Sequence, residues 1–317
     1  MIPEDTIEVM ISSLSVNTIK QYSVALNKWW IFCKGENIFD VSITKILEFL
    51  TEQFKTGSSY TSLNTTRSAL SLILSCEIGI DPQIKRFFKG IFKLRPSRPK
   101  YNDTWDPAIV LNHIEKWYPL QDLSFLKLTK KLVMLLALTS AQRIQTLSLI
   151  RLNNIQFVEA GVNIEISDLL KTSKPGKQQM CITLPYFLAK PEICPVTTLQ
   201  YYINYTKTLR KVEFNNTEML LISVKKPYNY ASRQTISRWI KQTMKDSGID
   251  IKRFTPHSTR HAATSRACRE GVTLDTIFRS AGWSIGSKVF ANHYNRPLIK
   301  SNDKYIFAKT VCNIESH

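Results

Sequence analysis

Thr255-Pro256-His257-Ser258-Thr259-Arg260-His261, followed by Ala281-Gly282-Trp283 and Phe290-Ala291-Asn292-His293-Tyr294, is the part of the sequence around which the rest is organised. A threonine before a proline reads as a helix start, with Thr255 as N-cap and Pro256 at the first helical position. On that helix His257, Arg260 and His261 are spaced i, i+3, i+4 and share one face. The pattern breaks at Gly271. A second amphipathic segment, Thr273 to Arg279, leads to Gly282-Trp283, and a third short segment ends at Tyr294. A histidine, an arginine, a tryptophan and a tyrosine on successive short elements can converge on one phosphodiester.

The bulk composition fits that chemistry. The chain has 317 residues, 43 Lys and Arg against 25 Asp and Glu, and a formal net charge of +18. That length suits two domains, or one large one, with real cores. That charge attracts polyanions, chiefly nucleic acid or an anionic membrane surface. No N-terminal signal pattern is visible, and the longest apolar run, Leu132–Leu138, is too short for a bilayer, so no membrane partner is expected. Cys33, Cys76, Cys181, Cys194, Cys268 and Cys312 form no C-x-x-C pair, which suits reduced thiols rather than a disulfide framework or a zinc cluster.

Four helical patterns fill the first third: from Asn17-Thr18-Ile19 through Trp29-Trp30, Ile43–Phe54, Ser62–Leu74 and Ile84–Phe92. Short Gly, Ser and Asp-Pro turns join them into an all-helical bundle over residues 1–94. The Trp29-Trp30 pair reads as core. From Lys85 to Lys100 the chain carries Lys85, Arg86, Lys89, Lys93, Arg95, Arg98 and Lys100 without an acid. Pro96 and Pro99 end any helix there. Residues 95–104 are therefore expected as an extended basic linker, and the seven cations as a track for DNA phosphates.

Residues 105–317 form the second domain. Asp106-Pro107 repeats the cap-plus-proline device, and Leu123–Leu138 is a buried helix that stops before Arg143. An arginine at that place is costly unless an anion or a carboxylate meets it. Three strand-like runs follow, Ile155–Val158, Val162–Ile166 and Met180–Leu184, with Lys171-Thr172-Ser173-Lys174-Pro175-Gly176-Lys177 as the last turn. Helices then resume over Pro195–Leu209 and Ser232–Met244. The fold class is mainly α with one small antiparallel sheet, an α+β arrangement.

The ordered set Arg143, a lysine in a β-turn, His257-x-x-Arg260, Trp283 and Tyr294 resembles the tyrosine recombinase (phage-integrase-like) family over about Trp105 to Pro297. The preceding bundle resembles that family's core-binding domain. Ala141-Gln142-Arg143-Ile144-Gln145-Thr146-Leu147 and Tyr294-Asn295-Arg296-Pro297 look most like eukaryotic transposon and viral members of the DIRS, Ngaro and crypton types. The sequence departs from many bacterial members at Thr146, where they carry an acid, and at Trp283, where they carry a second histidine.

The resemblance implies a site-specific recombinase or integrase that cuts and rejoins DNA through a 3′-phosphotyrosyl link, with no metal, cofactor or ATP. Tyr294 would be the nucleophile. Arg143 and Arg260 would grip the non-bridging oxygens with their bidentate forks. Lys171 would be the general acid, with Lys174 and Lys177 as rivals in the same turn and as further DNA contacts. His257 would manage the Tyr294 proton or hydrogen-bond the phosphate, and Trp283 would pack at the site and donate its indole N–H to a phosphate oxygen. His261 reads as a structural neighbour. Tyr228, Tyr230 and Tyr305 are the competing tyrosines. The apolar tail after Pro297 would pass to a neighbouring subunit in a DNA-bound homotetramer, and the DNA substrate implies the nucleus, or a host nucleus or virion. Two alternatives remain: a type IB topoisomerase-like nicking-closing enzyme, and a DNA-binding or virion protein derived from a recombinase that no longer cuts.

Overall fold

The computed structural model describes residues 3–96, 101–173, 175–176, 179–211, 218–284, 294, 296 and 311–312. The chain divides into two compact units, Met1–Pro99 and Lys100–His317.

In the first unit, hydroxyl and carboxylate side chains set where helices begin. Among the described residues it has five α-helices: α1 Glu4–Ser12, α2 Val16–Phe32, α3 Ile43–Lys55, α4 Tyr60–Ile73 and α5 Pro82–Leu94. Ser15, Ser42, Ser59 and Asp81 accept from first-turn amides of α2 to α5, each cap contributing about 1 kcal/mol. Trp29, Phe49, Leu50, Leu63, Leu70, Ile84 and Phe88 build the core. Trp29 crosses Phe49 edge-on at 5.1 Å and donates its indole N–H to Ile38 O at 2.8 Å.

Three expectations change here. α1 precedes the four expected patterns, and its apolar residues Ile7, Met10 and Ile11, spaced i, i+3, i+4, are exposed rather than buried. Trp29 is core but Trp30 is 51% exposed, because consecutive helical residues point about 100° apart. Arg95 is not part of a free strap: its Nη1 donates to Ser58 O at 3.0 Å and its Nη2 to Phe54 O at 3.3 Å, near the C-terminus of α3. Lys85, Arg86, Lys89 and Lys93 do lie exposed along α5, whereas Arg98 and Lys100 fall outside the described residues.

The second unit comprises α6 Pro107–Glu115, α7 Phe125–Ser140, α8 Ile144–Ser148, strands β1 Ile155–Val158, β2 Gly161–Ile166 and β3 Met180–Pro185, then α9 Pro195–Thr206, α10 Arg233–Asp246, α11 Ser258–Arg269 and α12 Leu274–Ala281. The strands pair antiparallel in the order β1-β2-β3, with Ile164 opposite Ile155 and Ile182. Alternation sends Val162, Ile164, Ile166, Ile182 and Leu184 inward. Leu128, Leu132, Val133, Leu135 and Leu136 bury α7, which packs against α9, α10 and α11. The expected linker is shorter than 95–104, since Tyr101 and Thr104 are buried in this unit. Among the described residues no helix is long and apolar enough to cross a membrane.

Candidate active site

The helix expected to open at Pro256 behind a Thr255 cap begins two residues later, at Ser258, with His257 at its N-cap. Thr255 does not cap it because its hydroxyl hydrogen-bonds the Tyr101 hydroxyl at 2.6 Å, and its amide donates to that same oxygen at 3.1 Å. Three-residue bonds, Ser258 N–H to Thr255 O and Thr259 N–H to Pro256 O, lead into the helix instead. Trp105 Nε1 donates to Ser258 Oγ at 2.9 Å, and Asp106, which caps α6, accepts from Arg266 Nη1 at 3.0 Å. Arg253 pairs with Asp103. The first residues of the unit thus brace both ends of the turn that presents His257.

From that turn His257 reaches Tyr294, Nε2 to hydroxyl oxygen, at 3.0 Å. One turn further on, His261 stacks on the Tyr294 ring, centroids 4.2 Å apart and planes 18° apart. Trp283 closes another side at 4.6 Å. Its approach is set by the end of α12, where Gly282 lies in the left-handed region at φ +65. The Gly282 N–H donates to Arg279 O and the Trp283 N–H to Phe278 O, the Schellman pattern, which favours glycine at that position. The competing tyrosines lie elsewhere: Tyr228 packs on Phe125, Tyr230 is 54% exposed, and Tyr305 falls outside the described residues.

Ser265, which the sequence reading missed, secures the main chain around Tyr294. Its hydroxyl donates to Tyr294 O and accepts the Arg296 amide at 3.1 Å. Its position four residues after His261, on the same helical face, was the available signal. Gln142 was also missed; its Nε2 donates to Ser280 O at 2.5 Å and ties the Arg143 segment to α12.

The two arginines differ. Arg260 is 1% exposed and stacks on Trp283 at 4.3 Å. Its Nη1 donates to Ala141 O at 2.8 Å and its Nη2 to Ala281 O at 2.7 Å, so it binds the C-terminal carbonyls of α7 and α12 together. A cation there also meets the negative ends of two helix dipoles. Two of its N–H groups, expected to be wholly available to an anion, are therefore committed to main chain. Arg143 sits at the N-cap of α8, just past Ala141, whose φ of +51 turns the chain sharply out of α7. No hydrogen bond or ion pair to a described residue engages its guanidinium, and Thr146 is buried without reaching it.

Burial, with the Arg143 charge, pushes the Arg260 pKa down to about 10. The His257 pKa is also lowered, first by the desolvation of its packed inner edge and then by the Arg260 and Arg143 charges, although the residue keeps an exposed side. Among the described residues no carboxylate shifts either one. His257 is thus neutral at pH 7, and its Nε2 can accept the phenolic proton of Tyr294. Two guanidinium charges that act on each other and on His257, one of them 5.6 Å from the Tyr294 ring, with no carboxylate among the described residues to offset them, call for an anion.

Lys171 is exposed in the β2–β3 turn. Its neighbours Leu170, Thr172 and Ser173 line a cleft of about 350 Å³ together with Arg279, Gly282 and Trp283. Lys174, Lys177 and His293 lie outside the described residues, as does the tail from 297 to 310. Among the described residues no group of three or more His, Cys, Asp or Glu could hold a metal ion.

The chain belongs to the phage integrase family, the tyrosine recombinases, whose sequence model matches residues 111–300. Its fold recurs in solved structures. A XerH site-specific recombinase bound to palindromic difH substrate, in a post-cleavage complex, is similar with a TM-score of 0.64 at 14% identity, over 94% of this chain and 80% of that one. The Tn1549 transposon integrase in complex with transposon right end DNA gives 0.59 at 15%, over 96% and 97%. A lambda integrase tetramer bound to a Holliday junction gives 0.55 at 17%, over 90% and 77%. A comparison with curated protein sequences finds no match.

Proposed function

We propose that this enzyme cuts and rejoins double-stranded DNA as a site-specific recombinase, using Tyr294 as nucleophile and no metal or ATP. The Tyr294 oxygen attacks phosphorus, the P–O5′ bond breaks, and a 3′-phosphotyrosyl link and a 5′-hydroxyl result. The phenolic proton passes to neutral His257. Lys171 gives a proton to the departing 5′-oxygen, and the reverse steps rejoin the strand. Arg143 grips the non-bridging oxygens, and Arg260 adds the hydrogens left over from its two carbonyl bonds. Trp283 packs against Tyr294 and Arg260 and offers its indole N–H to the phosphate. The exposed α5 cations Lys85, Arg86, Lys89 and Lys93 track the backbone of the DNA.

The observation that carries this reading is the 3.0 Å contact of the Tyr294 hydroxyl with His257 Nε2, beside the Arg260 and Arg143 charges, which no carboxylate of the described residues neutralises. A DNA-bound homotetramer linked through the tail after Pro297, residence in a nucleus, and origin in a eukaryotic transposon or virus belong to the same proposal. The lambda integrase tetramer on a Holliday junction supports the first of these.

The test is incubation with a nicked duplex that traps the covalent adduct, followed by peptide mapping. The adduct should map to Tyr294, survive EDTA, and vanish in Tyr294→Phe with DNA affinity retained. An adduct on another tyrosine would end the assignment. Adduct formation without exchange between two duplexes would instead favour a nicking-closing enzyme.

A further inference from the structure

Arg151 lies outside the cluster around Tyr294. It follows α8 by three residues, and so follows Arg143 on one short stretch of chain. Its guanidinium holds Asp168 in a bidentate grip, Nε to Oδ2 at 3.1 Å and Nη2 to Oδ1 at 3.3 Å, while Nη1 donates to Glu218 Oε2 at 2.6 Å. Its main chain is fixed on both sides, by Leu152 N–H to Glu218 O at 2.7 Å and Leu220 N–H to Ile150 O at 2.8 Å.

Asp168 stands just past the end of β2 and three residues before Lys171. A second brace adjoins it, since Asn154 Nδ2 donates to Ser167 Oγ at 3.0 Å. Beyond it the chain closes on itself. The Ser173 amide donates to Leu170 O at 2.9 Å and the Leu170 amide to Ser173 Oγ at 3.0 Å, which leaves Lys171 and Thr172 at the centre of a four-residue turn. That turn borders the cleft shared with Trp283. A half-exposed ion pair adds only about 0–1 kcal/mol to stability, but a fork gripping a loop base fixes direction as well.

We propose that Arg151 is a positioning residue for leaving-group protonation: by holding Asp168 it sets where the Leu170–Ser173 turn presents Lys171 to the 5′-oxygen. This rests on the assignment of Lys171 as the general acid. As Tyr294 bonds to phosphorus and P–O5′ breaks, the electron pair stays on the 5′-oxygen, which takes a proton from the Lys171 ammonium and leaves a neutral amine. Sulfur in place of that oxygen removes the need, because a thiol with a pKa of about 8.5 departs as the thiolate.

Single-turnover cleavage of duplexes with oxygen or sulfur at the scissile 5′ position separates the cases. Arg151→Ala and the isosteric Asp168→Asn should slow the oxygen substrate by roughly 10- to 100-fold and leave the sulfur substrate within about threefold of the parent. Arg151→Ala should add nothing to Lys171→Ala. Equal slowing of both substrates, an unchanged oxygen rate, or additivity with Lys171→Ala would overturn the proposal. Lys171→Ala that cuts the oxygen duplex normally, or that sulfur does not rescue, would overturn the Lys171 assignment instead. In that event sulfur rescue of Arg151→Ala would retain the brace for another acid of the loop, and its absence would end it.

Discussion

Ser265→Ala is the most searching perturbation of the site, because it touches neither DNA nor any reacting atom. Ser265 is fully buried, and its single oxygen serves two main-chain groups, Tyr294 O and the Arg296 amide. Alanine fills nearly the same volume, so little cavity forms, but both groups lose their partner. At about 0.5–1.5 kcal/mol net per bond, the arrangement that holds Tyr294 against His257 weakens by about 1–3 kcal/mol. If only that arrangement reacts, the rate falls by roughly 5- to 150-fold. Single-turnover adduct formation at saturating protein on a nicked duplex measures the loss, and a filter or anisotropy titration should show unchanged DNA affinity. Thr264→Val is the control, since among the described residues Thr264 Oγ1 bonds Arg260 O within its own helix. A Ser265→Ala protein that forms adduct at the parental rate would refute the idea that α11 fixes the nucleophile through its main chain.

The arginines should separate in urea unfolding. Arg260→Ala orphans the Ala141 and Ala281 carbonyls and should cost about 2–4 kcal/mol, whereas Arg143→Ala should stay within about 0.5 kcal/mol of the parent; an unmoved midpoint for Arg260→Ala would refute its role as a tie between helix ends. By NMR, His257 should titrate below the ordinary value of about 6.5, and Arg143→Ala should raise it; cleavage should accordingly fall as the pH drops through that lowered pKa. An unshifted His257 resonance in Arg143→Ala would contradict the charge argument. Lys131 is fully buried on α7, donates to Trp117 O, and has its pKa lowered from 10.5 to about 8, chiefly by desolvation. Below pH 8 both folded and unfolded chains hold that proton and the burial penalty is complete; between 8 and 10.5 the unfolded chain holds more, so stability should rise by up to about 3 kcal/mol. Lys131→Met should lack this rise, and an identical pH profile in the two proteins would refute the shift.

Local chemistry made much of the fold legible. Asp106-Pro107 and the Ser59, Asp81 and Thr273 caps are signals carried within four residues, and the alternation at Val162, Ile164 and Ile166 marks a half-buried strand wherever it occurs. The start of α11 was misjudged for a long-range reason: Tyr101 takes the hydroxyl that would have capped it. α1 shows the limit of such signals: Ile7, Met10 and Ile11 are spaced i, i+3, i+4 like a core face, yet all three stay exposed. At the candidate site, residue types could be picked out from spacing, but their couplings could not. That Arg260 bridges Ala141 and Ala281, or that Arg151 meets Asp168, depends on how separate helices and strands dock, which no window of sequence contains.

Tyr101, Asp103, Trp105 and Asp106 precede or cap the first helix of their unit, yet each holds a residue between Arg253 and Arg266. The natural start of an excised C-terminal fragment is therefore upstream of Tyr101. A fragment trimmed to Pro107, the first residue of α6, would keep every helix and strand of the unit while losing the splint behind its histidines, and would come out folded but poorly poised.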